Sequence, residues 1–118
     1  MAFEGKFLFV VRMDVSPEKE GVFNEVYDTE HVEDILKVPG VLSAARYRTE
    51  EFEVMLGGEK KRISPAGEPS YLTVYELESA DVLTGEGWAE AVEGGRWPSE
   101  VRPHTYNRRH RLYRRLQS

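Results

Sequence analysis

The stretch YDTEHVEDILKVPGV, residues 27–41, sets one histidine among carboxylates just before an apolar run that stops at Pro39 and Gly40. A histidine titrates near pH 6.5, which suits proton transfer at neutral pH. Asp28, Glu30, Glu33 and Asp34 crowd His31 in sequence, and one of them is expected to orient its ring. Tyrosines supply the natural complement to a base, because a phenol O–H can steady a developing oxyanion. Tyr27 precedes His31 and Tyr47 stands on the next strand, so these two are the preferred partners; Tyr71 and Tyr75 are further sources of phenol groups. Phe23, Tyr75 and Trp88 would wall a substrate pocket. Plain core packing is the preferred reading for each of these aromatics taken singly, and His31 also fits a helix start with no chemical duty. Arg12 and Arg46 lie in apolar strands and are expected to form salt bridges across a dimer rather than bind a substrate anion.

Other chemistries find little support. Without cysteine there is no disulfide, thiolate nucleophile or thiolate metal site. His104 and His110 share a strand face but stand about 20 Å apart at strand rise, too far to hold one ion. His31 with its acidic neighbours lacks zinc spacing, so no metal and no cofactor is expected. LGGEKK carries neither the Walker spacing nor the dinucleotide fingerprint, and no Gly-x-Ser-x-Gly elbow occurs.

These residues need a scaffold, and 118 residues suffice for one domain over positions 1–118. Charged residues make up 31% and apolar ones 40%, an ordinary globular composition that fits the cytoplasm. No apolar run approaches the roughly 18 residues of a membrane span, and the opening MAFEGKFLFVV lacks the basic start and cleavage site of a signal peptide. Net charge is −5, unevenly spread: residues 102–118 hold six arginines and no carboxylate, and the rest of the chain 10 basic and 21 acidic side chains. The basic tail is expected to be neutralised by the acidic body of its own chain or of a partner subunit.

Residues 6–15, KFLFVVRMDV, read as a strand. Ser16 and Pro17 start a helix. On that helix Val22, Phe23, Val26 and Tyr27 share a face, while Ile35 and Leu36 fall on nearly the opposite side at about 100° per residue. A break is therefore expected within 27–31, with Asp28 capping a second segment and Tyr27 stapled to Val32. VLSAARYR (41–48) is a second strand, 50–70 a long loop or hairpin that could extend the sheet, and SYLTVYELES (70–79) a third strand. Ser79 caps a second helix weakened by Gly85 and Gly87 before Trp88. RWPSEVRP is a loop and HTYNRRHRLYRRL a final strand. This is an α+β, ferredoxin-like βαββαβ order, with two helices on one face of a four-stranded antiparallel sheet. The first and third strands are apolar on both faces, so a second copy is expected to cover the open face, giving a homodimer.

On the residues VYDTEHVEDILKVPGVLSAARYR, PSYLTVYELES and NRRHRLYRR, together with the strand order, the chain resembles the dimeric α+β barrel superfamily and, within it, the EthD-like proteins. The resemblance implies two sheets paired face to face, with a cavity between each sheet and its helices. It also implies that His31 and nearby tyrosines line that cavity. In enzymatic members the reactions are lactone isomerisation, polyketide cyclisation and cofactor-free oxygenation of phenolic compounds; EthD-like proteins accompany xenobiotic degradation. The expected function is therefore binding of an apolar, phenolic or polyketide-like small molecule, with His31 as a general base. The alternative is a non-catalytic carrier in a catabolic pathway. Haem handling through His31 is a further role within the superfamily. An RNA-binding role is disfavoured, because YLTVYELE lacks the basic-aromatic signature and the body is acidic. No nucleic-acid or membrane partner is expected.

Overall fold

The computed structural model describes residues 5–117; part of the stretch that speaks against a signal peptide, residues 1–4, lies outside them. The main sheet has four antiparallel strands in the order β2-β5-β1-β6: β1 is Phe7–Val15, β2 Val41–Arg48, β5 Tyr71–Leu77 and β6 Thr105–Arg114. The order is ferredoxin-like, and the buried apolar residues of the sheet lie on its two inner strands, β1 and β5. Register fixes the faces. Phe9 pairs with Tyr75 and Leu112, and Val11 with Thr73 and His110, so these residues share the face under the helices. Leu8, Val10, Leu72, Val74, Ala45 and Tyr47 share the other face, which no element of the described chain covers.

The first helical unit departs from the expected break. The chain stays helical through α1 (Glu20–Val26), a π turn at Tyr27–His31 and α2 (Val32–Leu36). Val26, Tyr27, His31 and Val32 all keep right-handed helical dihedrals, and Asp28 caps nothing. The phase reversal read from the sequence is real, but a wider helical turn absorbs it. A π turn takes up one extra residue, which rotates α2 back by about 100° relative to a regular helix. Ile35 then lies within about 20° of Phe23 rather than about 120° away, and both are buried in one core. Leu36 falls off that face and is 37% exposed. Gly40, at φ +95°, ends the unit; a Cβ there would sit 2.4 Å from Val82.

Of three further segments, the first two follow expectation in the main and the third departs from it. Residues 52–63 form a separate hairpin, β3 (Phe52–Leu56) with β4 (Glu59–Ile63), which does not extend the main sheet. The second helix is split as the glycines suggested: a 3-10 turn Ala80–Thr84, capped where Ser79 accepts from the Asp81 amide, precedes α3 (Glu86–Ala91). The loop expected at RWPSEVRP is instead a π turn at Trp97–Val101 followed by a 3-10 turn, and it buries Trp97 and Val101. Among the described residues no helix is long and apolar enough to cross a membrane.

Phe23 is fully buried against Tyr27, Tyr71 and Trp97. Phe23→Ala should destabilise the protein by about 3–5 kcal/mol, the usual range for emptying a buried aromatic site. Urea unfolding followed by circular dichroism measures it, and an unchanged midpoint would contradict the packing described.

Candidate functional site

Because the π turn places Tyr27 and His31 on the same side of the helix, both project toward the sheet. They meet a cavity of 210 Å³ between the helical layer and β1, β5 and β6. Phe9, Val11 and Met13 of β1 and Tyr75 of β5 form its floor; Trp88 and Trp97 wall it; Arg102, Arg108 and His110 border it with Ile35 and Val92.

His31 is 6% exposed. Its ring stacks on Trp97 with centroids 4.2 Å apart and planes 17° from parallel, and the edge of Tyr27 meets it at 5.2 Å. Tyr27 in turn meets Trp97 edge-on at 4.9 Å. On the far side Phe9 contacts Trp88 at 5.6 Å and stacks on His110 at 5.9 Å. The Tyr27 hydroxyl shares hydrogen bonds with the side chains of Thr73 and Tyr75, and burial pushes both phenols well above their ordinary range. They are neutral hydroxyls at any physiological pH.

The carboxylates expected around His31 are drawn elsewhere. Asp28 pairs with Arg46 at 2.7 Å. Glu30 accepts from the Arg96 backbone amide at 3.0 Å and from its Nε at 2.7 Å. His31 Nδ1 is buried and has no hydrogen-bond partner among the described residues. Burial is the main force on the imidazole; Arg102 and Arg108 add to it and Glu93 opposes it, and the pKa falls to about 4. His31 is thus an uncharged imidazole at neutral pH, rather than one held by a carboxylate. His110 is also shifted downward, by burial and by Arg108.

Of the residues singled out in the sequence, His31, Tyr27, Tyr75 and Trp88 converge on the cavity. Tyr47 does not: it projects from the open face of the sheet and is 59% exposed. The helix-facing position beside it belongs to Arg46, whose guanidinium lies 4.4 Å over the Tyr27 ring while bonding Asp28 and Asn24. A charged residue therefore occupies the inward site because a ring face and two acceptors receive it there. Phe23 stands behind Tyr27 in the core and is not part of the cavity lining. Arg12 and Arg46 form salt bridges within the chain, Arg12 with Glu68 and Arg46 with Asp28, each at 2.7 Å, where bridges across a dimer were expected. The basic tail is neutralised only in part: Arg102 pairs with Glu93 at 2.8 Å, while Arg108 borders the cavity. Trp97, Arg102, Arg108 and His110 were not foreseen at the cavity. The alternation along β6 carried a signal for the last two, since residues 108 and 110 share one face. Among the described residues no group of three or more His, Asp or Glu side chains could hold a metal ion.

No family model matches the chain, and no curated protein does. Solved structures do. SnoaB, a cofactor-independent oxygenase from Streptomyces nogalater, is 16% identical over 95% of this chain and 94% of its own, with a TM-score of 0.59. An EthD family protein from Bacillus halodurans is 13% identical over 93% and 99%, with a TM-score of 0.58. MhuD, a heme-degrader from Mycobacterium tuberculosis with two hemes bound in its active site, is 11% identical over 95% and 97%, with a TM-score of 0.53. The chain has the ferredoxin-like α+β fold of this group, the EthD family structure included.

The His31 imidazole should titrate near pH 4 in the folded protein, seen by its ring proton shifts in NMR. The unfolded chain takes up that proton near pH 6.5, so acidification between about 6.5 and 4 favours unfolding, by roughly 3 kcal/mol in full. His31→Gln should flatten stability against pH across that window. A histidine titrating at 6.5 would show that the ring is solvated.

Proposed function

We propose that the cavity binds a compact apolar small molecule, phenolic or polyketide-like, and that His31 acts on it as a general base. The observation that carries this reading is an uncharged, buried imidazole beside two neutral phenols in an aromatic-walled cavity. His31 takes a proton from an acidic C–H or phenolic O–H. The bonding pair stays on the substrate as an enolate or phenolate, and Tyr27 or Tyr75 donates to the new oxyanion. A base whose pKa is lowered is ready at neutral pH but gains little from protonation alone. In a dry site the imidazolium and the substrate anion stabilise each other, which supplies the missing driving force. Isomerisation, cyclisation and cofactor-free oxidation share this first step, and the fold likeness to a cofactor-independent oxygenase agrees with it.

Size narrows the ligand. The 210 Å³ cavity lies below the roughly 300–1,000 Å³ that hold drug-sized ligands, so one or two fused rings suit it. A porphyrin is larger than a 210 Å³ cavity, which argues against a haem role for His31. The carrier reading has one observation in its favour: no carboxylate orients His31, and its Nδ1 lacks a partner among the described residues. In either reading the chain is a cytoplasmic accessory or enzyme of a xenobiotic-degrading or similar pathway. It works as a homodimer whose subunits pair through the open sheet face bearing Leu8, Val10, Leu72 and Val74.

The base role is tested with 2-tetralone, a bicyclic ketone with an acidic C–H, in deuterated buffer. The protein should catalyse deuterium uptake at C1, and His31→Ala should lower that rate by about 10²-fold or more. Exchange unaffected by the substitution would leave the carrier reading. Sedimentation at micromolar concentration should give a dimer, and Val74→Asp a monomer; a monomeric native chain would remove the paired sheet.

A further inference from the structure

We infer that Arg108 makes this cavity selective for an anionic ligand, a carboxylate on a compact aromatic frame. The inference rests on the small-molecule reading of the cavity and adds the charge of what binds there.

The titratable groups that face the cavity are His31, His110, Tyr27, Tyr75, Arg102 and Arg108. Both histidines are shifted toward the neutral form and both tyrosines remain protonated. Arg102 is spoken for: its guanidinium meets both oxygens of Glu93 at 3.0 and 2.8 Å and the Val92 carbonyl at 2.8 Å. Arg108 has no hydrogen bond or ion pair among the described residues. One positive charge therefore remains on the cavity wall without a counter-ion.

The chain carries 21 carboxylates against 16 basic groups, and Arg12, Arg46, Arg48, Arg62, Arg96 and Arg102 each have an acidic partner; Arg109 and Arg111, like Arg108, have none among the described residues. A solvated strand arginine is the ordinary explanation for Arg109 and Arg111, which lie on the opposite face of β6. Arg108 is also exposed in the single chain; it differs because alternation turns it, with His110, toward the cavity. A guanidinium presents a planar fork that matches a carboxylate with two parallel bonds. The acidic remainder of the surface repels anions generally, so a local cation gives selectivity as well as affinity. With its carboxylate at Arg108, a bicyclic ligand extends between the tryptophan walls toward His31. The substrate then arrives with a fixed charge, and the proton His31 removes comes from another position on the same frame.

The test compares 2-naphthoate with 2-naphthamide, which share a frame and differ in charge, by calorimetric titration of the native chain, Arg108→Gln and Arg62→Gln. Arg62 lies on the remote hairpin and controls for the change in net charge. The native chain should bind the naphthoate roughly tenfold tighter or better, the scale of a charged hydrogen bond that is partly solvated. Arg108→Gln should bring the two within about twofold by weakening naphthoate alone, and Arg62→Gln should leave the preference intact. Equal native affinities, or a preference that survives Arg108→Gln, would overturn the assignment while leaving the cavity reading in place. If neither probe binds the native chain, both readings fall.

Discussion

The π turn at Tyr27–His31 is the constraint on which the site depends. A π turn has poorer hydrogen bonding than an α turn and persists only where packing compensates. Here the compensation is visible on both sides. Phe23, Val26 and Tyr27 before it and His31 and Ile35 after it all reach one core, and each large side chain buried there contributes about 1.5–3 kcal/mol. On the outer side, Arg46 holds Asp28 and Arg96 holds Glu30. The turn is thus drawn inward by apolar burial and outward by ion pairs, and His31 falls on the inward side. The same ion pairs draw Asp28 and Glu30, the carboxylates nearest in sequence, away from the imidazole.

Trp97 completes this arrangement from a distant part of the chain. Its face lies on His31 and its edge against Tyr27, so a segment some 70 residues downstream closes the solvent side of the base. Arg96, its neighbour, anchors that segment to Glu30 and Glu25. The result is a desolvated imidazole whose nearby charges, among the described residues, are cations and one carboxylate already engaged by Arg102. In such surroundings an anion is the missing component, and the chemistry proposed for His31 creates or receives one.

The fold was legible because β1, β2 and β5 alternate or run apolar and proline and glycine punctuate the helical segments. The phase reversal around Asp28 was legible too, yet it admits two solutions: a break, or a one-residue widening of the helix. Periodicity does not separate them, because both rotate Ile35 by the same amount; a core continuous across the junction does. Tyr47 was misplaced for a different reason. Hydrophobicity favours a tyrosine inward and an arginine outward, but Arg46 finds the Tyr27 ring and Asp28 waiting on the helix side. Trp97 escaped notice because Pro98 and Ser99 beside it look like loop chemistry; a π turn tolerates a proline at its first positions.

The two faces of the sheet are coupled through β1. Phe9, Val11 and Met13 form the cavity floor, while Leu8, Val10 and Arg12 point to the open face. In the paired arrangement proposed above, a partner sheet packs on Leu8 and Val10 and so fixes the backbone that carries Phe9 and Val11. An edge strand such as β6 gains most, since on its outer side it has no neighbouring strand. β6 carries Arg108 and His110, the two groups on the cavity's open side, and nearly all its side chains are exposed in the single chain. Pairing would therefore set the position of the cation relative to the base, which is the spacing a bound carboxylate has to match.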